Sequence, residues 1–351
     1  MRRAWLYGVL LVLVACAASS PMPMVEEKVE PTEHRATLLV VGDWMVHAPQ
    51  LTAARTAEGY DFSSAFSLVR PLVEETDLAI VNLETTLGER GEYTGYPLFR
   101  SPVAVADAMR YAGFDVALLA NNHCMDYGAR GARETITALD KRSIRHTGVF
   151  RSEVERRAMP HLYLRLGELS MVLLNYTYGT NGMPVVAPAV VNRIDTVQMR
   201  ADLERAREWM PDCVAVALHW GVEYERKPNR EQRKLAEWLH REGVQLIIGS
   251  HPHVVQPIVQ DSLHQTLTIY SLGNLLSNQR KRYTDGGLMV RLELTKRGEE
   301  PLRIDYEPIP VWVDRTHGYR LLTREAADTL RIEDAASTFF TDTESLLEKG
   351  L

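Results

Sequence analysis

Along this chain, short apolar runs alternate with amphipathic stretches, and the runs stop abruptly at residues able to do chemistry. Val244–Ile248 is β-branched and bounded by Gly243 and Gly249, the pattern of a strand covered on both faces. Comparable runs occupy Thr37–Val41, Leu78–Val81, Val116–Ala120, Leu169–Leu174, Val214–Leu218 and Leu267–Leu272. Between them, apolar residues at helical spacing predict helices over 62–74, 102–112, 131–141, 195–210 and 229–241. Strands alternating with helices predict an α/β fold with largely parallel sheets. Further on, Leu288–Leu294 reads as a half-exposed strand, Leu302–Tyr306 and Ile309–Val313 as two more, and helices begin near Thr323 and Glu333.

The strand exits carry the candidate chemistry. They present Asp43, Glu84, Asn122, His123, His219, His251 and His253, and open α/β sheets bind ligands at the carboxyl ends of their strands. His251 and His253 are expected on an exposed turn, where two residues apart in extended backbone point the same way, so both imidazoles face one ion. Imidazole, carboxylate and amide together suit manganese, iron or zinc better than calcium or magnesium. The expectation is therefore a divalent transition-metal site of one or two ions. Two cations sharing a carboxylate lower the pKa of a bound water and stabilise a developing anion. The loop 176–188, with Tyr178, Asn181 and Met183, is placed to shape access.

Composition changes the picture in two ways. A formal charge of -6 over 351 residues provides no basic stripe of the kind that neutralises a phosphate backbone, so nucleic acid is not an expected partner. At the start, Arg2 and Arg3 precede the apolar run Trp5–Val14 and the small residues Ala15, Cys16, Ala17 and Ala18, the pattern of a secretory signal, too short to span a bilayer. Leu13-Val14-Ala15-Cys16 looks like a lipobox. Residues 1–15 then read as a lipoprotein signal peptide, Cys16 as the lipidated residue and 16–36 as a flexible tether. An exported, membrane-anchored protein of the cell envelope is the result. Cys124 and Cys213 are expected to stay unpaired, since they sit at two different element ends.

Gly42-Asp43, Asn82-Leu83-Glu84, Asn121-Asn122-His123 with Asp126-Tyr127-Gly128, His219-Trp220-Gly221 with Glu223-Tyr224, Gly249 with His251-Pro252-His253, and Ser271-Leu272-Gly273-Asn274 together resemble the successive motifs of one family. This is the CapA-like family of bacterial poly-γ-glutamate and capsule biosynthesis, within the calcineurin-like metallophosphatase superfamily. The resemblance covers about residues 37 to 295 and leaves 296–351 as a strand and helix extension packed on that domain. It implies an α/β metallophosphatase-like fold, a four-layer αββα sandwich. It also implies a metal-dependent hydrolase with Asp43, Glu84, Asn122, His219, His251 and His253 as metal ligands and His123 as proton donor or anion stabiliser. Asp126 either orients His123 or caps the next helix. Asn82, Glu223, Gln256 and Asn274 are the candidates for contact with substrate; Glu223 and Gln256 read equally as solvated loop residues. The implied substrate is an anionic polymer or a small molecule, and the implied partner a capsule or polymer synthase complex. Two other functions fit the same motifs: a non-catalytic polymer-binding or export component with a vestigial metal site, and a metallophosphodiesterase. Ordinary members of the superfamily begin with Asp-x-His, whereas Trp44 and Met45 follow Asp43 here, so one ion is expected to be held weakly or to be missing.

Overall fold

The computed structural model describes residues 31–332 and 335–350. The signal peptide, Cys16 and most of the tether expected from the sequence lie outside the described residues. Residues 33–36 do not belong to a tether, because the first strand begins at Glu33 and runs to Trp44. Its first residues pair with Arg297 to Leu294, and that ladder extends the strand beyond its apolar run.

Two sheets face each other. The first runs in the order Arg320–Thr323, Arg303–Asp314, Gly286–Arg297, Glu33–Trp44, Leu78–Leu83, Val116–Leu118 and Arg145–Thr147. The second runs Ile258–Asp261, Thr266–Ile269, Leu246–Ser250, Cys213–His219, Leu169–Thr177 and Leu162–Leu166. The continuous apolar runs follow from burial on both faces. Leu38 and Val40 enter the layer between the sheets, while Leu39 and Val41 face the helices outside the first sheet. In the second sheet Ala215 and Ala217 point inward, and Val214, Val216 and Leu218 meet the outer helices Thr196–Arg207 and Arg230–Arg241. Helix, sheet, sheet and helix give the four-layer sandwich that the motifs imply.

Several boundaries differ from those read in the sequence. The expected helix over 62–74 is a 3-10 turn at Ser63–Phe66 and a short helix at Arg70–Glu74, with Pro71 at the start of the second piece. The strand expected at Val244–Ile248 is shifted to Leu246–Ser250 and passes through Gly249, where a Cβ would lie 2.0 Å from Tyr270 O. Leu302–Tyr306 and Ile309–Val313 are one strand, Arg303–Asp314. Pro308 and Pro310 do not break it. They pair with Val290 and Leu288, and the neighbour on the other side, Arg320–Thr323, reaches only Val311–Asp314. An edge position loses no ladder bond to a proline whose nitrogen faces outward. The division at 295 falls inside the strand Gly286–Arg297, so the following strands complete the first sheet instead of packing on it as an extension. Among the described residues no helix is long and apolar enough to cross a membrane.

Candidate metal centre

The parallel strands of both sheets end at one place. Glu33–Trp44 pairs in parallel with Leu78–Leu83, and Cys213–His219 with Leu246–Ser250, so Asp43, Glu84, His219 and the turn after Ser250 are delivered together. Asp43 is fixed by its backbone N–H on Gly273 O at 2.9 Å, an approach only glycine permits beside it: a Cβ on Gly42 would stand 2.0 Å from that same oxygen.

Two sets of three possible metal ligands result. Asp43, Glu84 and His219 are buried, and in a second set Glu223 joins His251 and His253; within each, the ligand atoms lie within 4.8 Å of one another. Glu84 stands between the sets, with Oε1 3.6 Å from His219 Nε2 and 3.8 Å from His253 Nε2. Both Glu84 oxygens are buried without a hydrogen-bond partner, as is His251 Nδ1. An unpartnered buried carboxylate is costly unless a cation meets it. Burial, then the charges of Asp43, Glu223 and Asp126, push Glu84 well above the ordinary carboxylate range. Burial, then the neighbouring imidazoles His253 and His123, hold His251 down to about 3. Burial likewise drives His219 well below its ordinary value. A neutral imidazole is the ligating form, so this donor set suits a divalent transition metal.

The other side of each ligand is also held. His253 Nδ1 faces Asp43 Oδ2 at 3.0 Å and Asn274 Oδ1 at 3.1 Å, which leaves Nε2 free toward Glu84. His219 Nδ1 meets Ser250 Oγ at 3.0 Å, and its Nε2 lies 3.0 Å from Asn122 Oδ1. Ser250 went unnoticed in the sequence because a serine inside an apolar strand end carries no ligand signal.

Three expectations need correction. His251 and His253 are not on an exposed turn: they are 4% and 2% exposed, and their φ angles of 99° and 57° are left-handed, not extended. Their imidazoles share one set through this kinked turn. Gln256 is fully buried between Gln232 and Glu225 O, tied to the helix Arg230–Arg241, and lines no opening. Asn82 and Asn274 are buried behind the ligands, donating to Asp43 and accepting from His253, and do not face substrate. Glu223 is exposed, as either reading of it in the sequence expects, and it also groups with the two histidines as a possible ligand.

Beside the centre, His123 Nδ1 pairs with Asp126 Oδ2 at 2.8 Å. Asp126 also accepts from Phe99 N–H at 2.6 Å, and Tyr127, not Asp126, precedes the helix Gly128–Asp140 as its cap, so the orienting alternative is the one the geometry supports. Phe99 packs edge-on to the His123 ring with centroids 4.6 Å apart. From the loop after Leu169–Thr177, Asn181 Nδ2 reaches His123 Nε2 at 3.4 Å and Tyr178 lies over His251 with ring centroids 4.5 Å apart. His47 sits nearby, lowered to about 4 chiefly by burial. Cys124 and Cys213 are free and buried, and burial pushes both thiols up to about 12.

A family profile described as "Bacterial capsule synthesis protein PGA_cap" matches residues 37–279. The chain belongs to that family. The chain is 27% identical over 328 residues to the capsule biosynthesis protein CapA of Bacillus anthracis, covering 86% of this chain and 77% of that one. It is also 27% identical over 327 residues to the PGA biosynthesis protein CapA of Bacillus subtilis (strain 168), covering 86% and 81%. Among solved structures, a putative 5'-nucleotidase from Staphylococcus aureus in complex with alpha-ketoglutarate superposes with a TM-score of 0.50 at 15% identity, over 89% of this chain and 58% of that chain. That likeness supports the metallophosphatase-like fold of the chain.

Proposed function

We propose that this protein is a metal-dependent hydrolase of capsule or γ-linked polymer metabolism, held at the cell envelope through Cys16. The observation that carries the hydrolase reading is Glu84, a buried carboxylate with both oxygens unpartnered, set among two groups of ligands and facing His219, whose imidazole burial keeps neutral. Asp43, Glu84 and His219 would hold one ion, with Asn122 beside them, and Glu223, His251 and His253 a second. When bound, such ions supply a Lewis acid and an activated water at neutral pH. The chain does the rest. His123, oriented by Asp126, stands at the edge of the centre to hand a proton to a leaving atom. Tyr178 and Asn181 cover the side from which substrate enters.

The test is to strip the full chain of metal, refill it with manganese, iron or zinc, and assay a chromogenic phosphodiester and a γ-linked glutamate polymer in parallel. Metal-dependent cleavage of either supports the reading and tells the phosphodiesterase alternative from the amide one. A protein that takes up metal and cleaves neither is the non-catalytic polymer-binding component. Anchoring is tested separately: Cys16→Ser is expected to move the protein from membrane to soluble fractions, and unchanged fractionation would remove the anchor.

A further inference from the structure

Just past residue 279, where the family match ends, the chain passes through three consecutive cations, Arg280, Lys281 and Arg282, in a protein of formal charge -6. All three are exposed. Arg282 is paired with Asp342 at 2.7 Å. Among the described residues Arg280 and Lys281 make no ion pair. Lys281 Nζ instead lies 3.5 Å from the centroid of the Tyr224 ring, and that ring is 6.3 Å from the ring of His253.

The loop is fixed from two directions. Asn274, the residue behind His253, donates to Thr284 O at 2.8 Å and to Gln279 Oε1 at 3.0 Å. From the helix Ala335–Lys349, Asp342 accepts Arg282 and the Tyr283 hydroxyl on its carboxylate and Arg226 on its carbonyl, at 2.7, 3.0 and 3.0 Å. One residue therefore holds both the basic loop and the loop that carries Glu223 and Tyr224.

We infer that Lys281, with Arg280 beside it, is an anion subsite of the metal centre, taking a carboxylate or phosphate that the substrate carries outside its reacting group. The inference rests on the hydrolase reading above. Asp43, Glu84 and Glu223 would offset three of the four charges of two divalent ions, so a substrate carrying several negative charges gains from a cation outside the centre. A lysine over an aromatic face keeps its charge and its donors while its position is narrowed, which lowers the entropy lost on binding. An unpaired cation at the mouth also steers an anion in. Asp342 acts through the loop, as a positioning residue.

The experiment uses the full chain in detergent, loaded with manganese, and two probes: tripolyphosphate and a γ-linked glutamate hexamer. At low salt one probe is expected to bind wild type, and whichever binds identifies the phosphate or the carboxylate as the group recognised. Lys281→Gln should weaken that binding on the order of tenfold and flatten its salt dependence, with metal stoichiometry unchanged. Adding Arg280→Gln should weaken it further, Lys281→Arg should retain most of it, and Asp342→Ala should shift it in the same direction as Lys281→Gln. Equal affinity of Lys281→Gln and wild type, binding of neither probe, or loss of metal along with affinity would overturn the subsite. Probe binding that depends on Lys281 in a wild-type protein unable to take up metal keeps the subsite and removes the hydrolase reading.

Discussion

Asn82 donates its side-chain amide to Asp43 Oδ1 at 2.8 Å, so the first carboxylate of the centre is held by the neighbouring strand. Asn82→Leu removes that donor and leaves Asp43 held through Oδ2 alone, by His251 N–H and His253 Nδ1. Metal affinity is expected to fall about ten- to a hundredfold while the fold persists. Competition with a chromogenic chelator measures it, and an unchanged affinity would show that Asp43 needs no such support.

Glu84 yields a pH dependence whose sign is fixed. Its folded pKa lies well above its ordinary 4.5, mainly through burial. Above pH 4.5 the unfolded chain releases a proton that the folded, metal-free protein still holds, so this group's contribution to stability falls as pH rises toward the folded value. Glutamine does not titrate. The melting temperature of metal-free Glu84→Gln relative to wild type should therefore climb from pH 4.5 upward. A difference that stays flat with pH would mean that Glu84 is not desolvated.

His123 and Asp126 should affect rate without affecting metal. His123→Ala is expected to lower kcat by about a hundredfold or more, and Asp126→Asn by less, since the asparagine oxygen can still accept from Phe99 N–H. Metal stoichiometry should match wild type in both. If either variant loses metal instead, the pair belongs to the ligand set.

Replacing His251 or His253 tests the kinked turn. Both side chains are buried, so each alanine variant should melt somewhat lower without metal, and each should also lose on the order of a hundredfold in metal affinity. His264→Ala is the control. Its imidazole is exposed and pairs at 2.7 Å with Asp261, on a hairpin remote from the strand ends. Titration calorimetry with manganese should leave it at wild-type affinity; equal losses in His264→Ala and His251→Ala would misplace the centre.

Much of this was legible because burial on two faces writes unbroken apolar runs, and each run's last residue is where the chain leaves the core. Asp43, Glu84, His219 and His253 could be found that way. The grouping of Glu223 with His251 could not, since it depends on a left-handed turn and on a loop folding across from another strand. The roles of Asn82 and Gln256 were misread for a related reason: a polar residue at a strand exit looks the same in sequence whether it faces substrate or the back of a ligand. The continuity of the strand through Pro308 is not legible either, because local rules stop a strand at proline unless the edge is known.

Pro308 and Pro310 bear on how copies of this chain meet. Where Arg320–Thr323 stops, the outer side of Arg303–Pro310 has no strand beside it among the described residues. A bare β-edge is a template on which a second molecule can add its own strand and begin a filament. Here Gln260 Nε2 already occupies Ile304 O at 2.6 Å, and the nitrogens at 308 and 310 carry no hydrogen, so a newcomer meets a broken row of donors and a less inviting template.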